Sequence, residues 1–231
     1  EGEKMDFDFT PYFAKYEALV HMVDGIFDRV KSEYPACVNC QKGCSECCFA
    51  LFDLTLIEAI YLNHKFNQVF GKDHRMLEKA NRADRQVYKL KKRAYQDHEK
   101  GKNEVAILAE MGKERVRCPL LNDREMCDLY DVRPITCRIY GIPTSIYGMS
   151  HTCGKSGFEA GGKYPTINMD KIHAQLYGIS QEIVEAIKTK YNRMGEMLVP
   201  VSMALLTDYN DVYFGFREDA AETGTEGREK T

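Results

Sequence analysis

The chain has 231 residues, 44% hydrophobic and 29% charged, ordinary values for a soluble globular domain that can build a core without staples. A net charge of −3 gives no global nucleic-acid signature, and no run approaches the length of a membrane helix. The nine cysteines are too many to ignore and odd in number, which counts against a disulfide scaffold.

The opening stretch EGEKMDFDF has no apolar segment. It therefore reads as lacking a secretory signal, which places the thiols in a reducing, cytoplasmic compartment. Residues 10–34 predict an amphipathic helix. Thr10 reads as its N-cap and Pro11 as its first helical residue. Phe13, Tyr16, Leu19, Val20, Val23, Ile26, Phe27 and Val30 recur at three and four spacing and form its buried stripe. Pro35 ends it.

CVNCQKGCSECC, residues 37–48, follows at once, with five cysteines in twelve positions. Thr55-Leu-Ile-Glu58 is a capping-box pattern opening a helix over 56–70, stopped by Gly71. Asp73 caps a helix over 74–100 with a thin apolar stripe of Met76, Ala80, Ala83, Val87, Leu90 and Ala94. Its basic side, Arg82, Arg85, Lys89, Lys92 and Arg93, reads as a solvated face because acids are interspersed. Residues 104–165 read as irregular and hold the second cysteine group. A helix is expected over 169–194 and a short one after Pro200. Residues 217–231 are polar and of mixed charge and read as a disordered tail. No stretch alternates like a strand. The expected fold is mainly α: one domain over 1–216, with two irregular cysteine-rich loops converging on a metal centre.

Thiolate is a soft ligand suited to zinc and to iron–sulfur clusters. The spacings Cys37-x2-Cys40, Cys40-x3-Cys44 and Cys44-x2-Cys47 let pairs of sulfurs share a metal, and Gly43 frees the loop to take positive φ. Neighbouring α-carbons lie about 3.8 Å apart and successive side chains diverge, so Cys47 and Cys48 seldom reach one ion. Either one is a spare thiol, or the two serve different metals or different atoms of a cluster; the second reading is preferred. Cys118-x8-Cys127-x9-Cys137 is not compact alone. A site built from both segments would fasten the N-terminal helices to the central loop. Both segments look short of apolar residues, so metal is expected to order them.

The run Cys40-Gln-Lys-Gly-Cys44-Ser-Glu-Cys47-Cys48, then Cys118-Pro-Leu-Leu121, Cys127-Asp-Leu-Tyr130, Arg133-Pro-Ile-Thr-Cys137-Arg138, Tyr140 and Cys153, resembles the YkgJ-type cysteine-cluster family. That family is described as a zinc- or iron-chelating domain with a CxxCxxCC signature; here one extra residue separates Cys40 from Cys44. The match covers residues 37–153. The resemblance implies eight metal ligands: Cys40, Cys44, Cys47, Cys48, Cys118, Cys127, Cys137 and Cys153. Cys37 lies outside the pattern and stands as an additional candidate. One branch of related domains resembles a flagellin lysine-N-methylase.

His151 is weighed as a ligand through its closeness to Cys153, but a loop histidine is more often solvated. The other five histidines fall on helices or their ends. Arg133 and Arg138 flank Cys137. They either cap loop carbonyls and pair with carboxylates, or offset the charge of thiolates and bind an anion. Tyr130 and Tyr140 are expected to wall off the site.

Clustered thiolates beside two arginines favour an iron–sulfur cluster, of the 4Fe-4S type, over zinc. The expected role is redox or protein-modifying, with a redox partner or a protein substrate and no nucleic acid or membrane. The alternatives are a lysine N-methylase-like enzyme, though no S-adenosylmethionine site is recognisable, and a structural zinc module for protein partners.

Overall fold

The computed structural model describes residues 7–159 and 161–215. The tail expected over 217–231 lies outside them. Eight α-helices and five strands of two or three residues make the described fold mainly α.

Helix α1 (Thr10–Glu33) buries Tyr16, Leu19, Val20, Val23 and Val30. Its N-cap is Phe9, not Thr10, and Asp8 Oδ1 accepts from the Thr10 amide at 2.9 Å. Those Thr10 hydrogen bonds hold the Asp8 carboxyl below its usual range.

Helix α2 (Leu56–Phe70) starts with the expected capping box and ends at Gly71, whose φ is +53°. It is apolar nearly all round because it is buried on two sides. Ile57 and Ile60 join α1 in one core, and Ala59, Leu62 and Phe66 enter a second. Its one buried amide is satisfied: Asn63 Nδ2 donates to the carbonyls of Ala204 and Thr207 at 2.9 and 3.0 Å.

Helix α3 (His74–Glu99) packs its thin stripe inward, and Asp73 caps it by accepting from Arg75 N and Met76 N. The basic side is exposed, as expected.

Helix α4 (Glu104–Met111) lies where irregular chain was expected; Asn103 caps it by accepting from Val105 N and Ala106 N. Helix α5 (Ile135–Ile139) buries Ile135 and Ile139 in the main core and packs Cys137 against a small cluster of Cys47, Cys48 and Leu121. Helix α6 (Met169–Ile187) completes that core with Ile172, Leu176, Ile179 and Ile183. It stops seven residues before the expected end at 194, because Lys188 turns left-handed at φ +56°. The chain then leaves to meet the last elements, with Lys190 N donating to Gly215 O at 3.0 Å. Tyr191, which falls within the expected helix, lies beyond its end and is exposed. Helices α7 (Val201–Leu206) and α8 (Asp211–Phe214) close the second and first cores.

The strands are clips between helices. β1 (Asp53–Thr55) pairs antiparallel with β5 (Leu198–Pro200). β2 (Thr144–Ile146) pairs antiparallel with β3 (Met149–His151) and parallel with β4 (Ile167–Asn168). Among the described residues no helix is long and apolar enough to cross a membrane.

Candidate metal centre

Three stretches of chain meet beside α5. The first begins where α1 ends, with Cys37 N and Val38 N both donating to Tyr34 O. Val38 anchors it in the main core. Gly43, at φ +95°, makes the turn in which Cys44 N donates to Gln41 O. A 3-10 turn over Glu46–Phe49 then buries Cys47 and Cys48.

The second stretch runs antiparallel beside it. Val116 N donates to Phe49 O at 3.1 Å and Cys118 N to Cys48 O at 2.7 Å. Beyond Cys118 the chain folds back. Asn122 N donates to Met126 O, Asp128 N donates to Leu120 O, and Leu121 faces Cys127 across an isolated bridge. The eight-residue gap between Cys118 and Cys127, unpromising in sequence, is therefore closed by a tight reversal.

The third stretch, after β3, is tied back to the first. Gly157 N donates to Cys37 O at 2.8 Å and Asn39 Nδ2 to Lys155 O at 2.7 Å.

Six of the cysteines, Cys44, Cys47, Cys48, Cys118, Cys127 and Cys137, line one cavity of about 60 Å³. A single water needs about 10–15 Å³ on that measure, so there is room for several heavy atoms. The rest of the lining is mostly apolar, and no carboxylate or imidazole lies on it among the described residues. Cys40 and Cys153 line an adjoining recess that shares Cys44 and Cys47. Cys37 lines neither and packs on the main core instead. Among the described residues no three His, Cys, Asp or Glu side chains are grouped as a ready site for one ion.

The electrostatics are those of crowded thiols. Hydrogen bonds from the Cys137 and Cys48 thiols favour the thiolate of Cys47. Donating to Cys47, and burial, push Cys48 and Cys137 up. Burial pushes Cys118 up to about 12 and also raises Cys40 and Cys127.

The two arginines, alike in sequence, part company. Arg138 is spent on structure: Nη1 donates to Asp24 Oδ2 at 2.7 Å, Nε to Arg133 O, and Nη2 to Asp131 O. Arg133 lines the six-cysteine cavity, donates from Nε to Tyr130 O at 2.7 Å, and stacks 3.6 Å from the Tyr130 ring centroid. Tyr130 walls the cavity and Tyr140 the recess. His151 is exposed on β3, opposite Thr144, and lines neither space.

The sequence carried no signal for Glu46 as a clasp. Its carboxylate accepts from Arg115 Nη1 at 2.6 Å and pairs with Lys155 Nζ at 3.0 Å, joining all three stretches at the recess. The hydrogen bonds from Arg115 and then Lys155 hold its carboxyl below the usual range. Gly141 was also missed. A Cβ there would lie 2.2 Å from Cys40 Cβ, so only glycine lets α5's exit pass the first loop. Gly141→Ala is expected to displace residues 40–44 and to cost about 1–3 kcal/mol, as overpacking does. Urea unfolding tests this, and an unchanged midpoint would refute it.

Comparison with known proteins finds no matching family model, no matching curated protein and no matching solved structure.

Proposed function

We propose that this chain is a metal-binding protein that holds an iron–sulfur centre through clustered thiolates. The observation that carries the reading is the cavity lined by six cysteines and, among the described residues, by no carboxylate or imidazole. An all-sulfur donor set suits soft metals. Six thiols exceed the four ligands of one tetrahedral zinc, whereas a cluster with additional iron can use them.

Cys44, Cys47, Cys48, Cys118, Cys127 and Cys137 would supply the principal ligands, with Cys40 and Cys153 beside them; Cys37 is left out. The side chains must draw together to bind, since they are not grouped for one ion as they stand. Arg133 would offset the anionic charge. An iron–sulfur cluster would supply one-electron transfer at a potential set by charge, hydrogen bonding and exposure. The likeness of motif order to the YkgJ-type family supports the same reading, as do nine free cysteines; a reducing, cytoplasmic setting is proposed with it. A redox partner or a protein substrate is the partner class proposed.

A structural zinc site is the second reading, favoured by the way the cysteines join three stretches of chain. Anaerobic purification with metal and acid-labile sulfide analysis separates the two. Iron and sulfide at near-stoichiometric amounts, with a brown colour, are expected. A colourless protein full of zinc after expression with added iron would give the zinc reading. No tightly bound metal and nine freely titrating thiols would sink both.

A further inference from the structure

A second, polar cleft of about 490 Å³ opens between α1, the loop after Cys40 and the chain over 130–138. Its size is that of small-molecule sites, roughly 300–1,000 Å³. Three of its residues also face the thiols: Tyr130 and Arg133 line the six-cysteine cavity and Cys40 the adjoining recess.

The charges sort into used and unused. Asp24 is taken by Arg138, whose other donors go to backbone carbonyls. Asp28 and Lys31, three residues apart on α1, also line the cleft, and neither is in an ion pair among the described residues. Arg133 and Lys42 complete the basic side of the cleft, which with Lys31 and Arg138 outnumbers its acids Asp24, Asp28 and Asp131 by four to three. Neither has a carboxylate within ion-pair distance among the described residues, and Arg133 donates from Nε alone. Both cations rest on the Tyr130 ring, Arg133 at 3.6 Å and Lys42 at 5.6 Å from its centroid. Stacking holds the guanidinium flat and leaves the edge of its fork unsatisfied, the geometry that grips an oxyanion through two parallel hydrogen bonds.

We propose that this cleft binds a small oxyanion, a carboxylate- or phosphate-bearing molecule, gripped by Arg133 and Lys42 over Tyr130 and so held beside the cysteine recess. The inference goes beyond the metal reading and does not need the metal to be present.

The test is an NMR titration of the ¹⁵N-labelled full chain, at low salt, with inorganic phosphate and with succinate. Saturable shifts at the amides of 41–42 and 130–133 are expected with at least one of them. Phosphate alone would point to a phosphate-bearing ligand, succinate alone to a carboxylate. Arg133→Gln is expected to weaken binding about tenfold or more, the size of one charge-assisted hydrogen bond. Lys42→Ala, at an exposed position whose one aromatic contact is Tyr130 in the cleft itself, should weaken it in the same direction with the spectrum outside the cleft intact. The proposal is overturned if neither anion saturates, if the shifts lie elsewhere, if Lys42→Ala binds like the parent, or if methylammonium fills the cleft instead. Iron measured on the same samples keeps the two readings apart. A metal-free chain that binds phosphate here sinks only the metal reading, and an iron-loaded chain that binds neither anion sinks only this one.

Discussion

Glu58→Ala is expected to lower stability by roughly 2–6 kcal/mol, because it strands two buried amides at about 1–3 kcal/mol each. Glu58 is a carboxylate shared between two elements. Its Oε2 accepts from Thr55 N at 3.2 Å and Thr55 Oγ1 at 3.1 Å, and its Oε1 from Ile135 N at 3.1 Å. The first pair starts α2; the third contact starts α5, two residues before Cys137. Thr55 and Ile135 are themselves buried, so water cannot replace the lost acceptor. Urea unfolding gives the stability, and hydrogen exchange at Ile135–Ile139 shows whether α5 frays. A change below about 1 kcal/mol would mean that the amides find other partners.

The same residue predicts a pH dependence. Burial raises the Glu58 carboxyl above its ordinary value, against the backbone hydrogen bonds from Thr55 and Ile135 that lower it. A group whose folded value is raised contributes fully below its unfolded value, about 4.3 for Glu, and loses that contribution as pH rises through the folded value. The Glu58 contribution therefore falls as pH climbs above about 4.3. Glu58→Gln, which cannot ionise, should flatten that part of the stability–pH curve. An identical slope in the two proteins would assign it to other groups.

Metal removal should have the other large effect. If thiolates hold metal, chelation or Cys137→Ser is expected to lower stability by several kcal/mol, short of the roughly 10–16 kcal/mol of zinc-finger peptides that fold only with metal. The ceiling is lower because the second cysteine segment is not poor in apolar anchors, as its sequence suggests. Leu120, Leu121, Leu129, Ile135, Ile139 and Ile142 are all buried. Exchange should therefore rise most over 37–48 and 153–157, less over 118–140, and least in α1, α2 and α6. Unchanged protection across 36–50 and 118–140 in both Cys44→Ser and Cys137→Ser would show that metal does not organise these loops.

Much of this frame is legible in the residues. The box Thr55–Glu58 with Gly71 bounds α2 as observed, and Asp73 starts α3, because caps are local chemistry. The α1 stripe was readable for the same reason. What escaped was short or distant. Helix α4 had its Asn103 cap in plain view but only eight residues of period. Strands of two or three residues cannot show alternation. Lys188 as a left-handed stop has no residue signature, since glycine is the usual choice. At the site, the cysteine-rich stretches do come together around one cavity and its recess, while Cys37, which spacing pairs with Cys40 and the family pattern leaves out, lines neither. Glu46, Gly141 and the split between Arg133 and Arg138 depend on partners far along the chain, which no local pattern records.

The three stretches around the thiols also set an order of events during synthesis. Cys48 leaves the ribosome 89 residues ahead of Cys137 (137 − 48 = 89). At about 5–20 residues per second, the first five cysteines wait on the order of 4–18 seconds for α5. For the first 67 of those 89 residues Glu46's partner Arg115 is not yet made (115 − 48 = 67), and for the first 70 neither is the backbone of Cys118 (118 − 48 = 70). A nascent chain stalled between Phe49 and Arg115 would thus present the thiols without their enclosure, the state most open to oxidation.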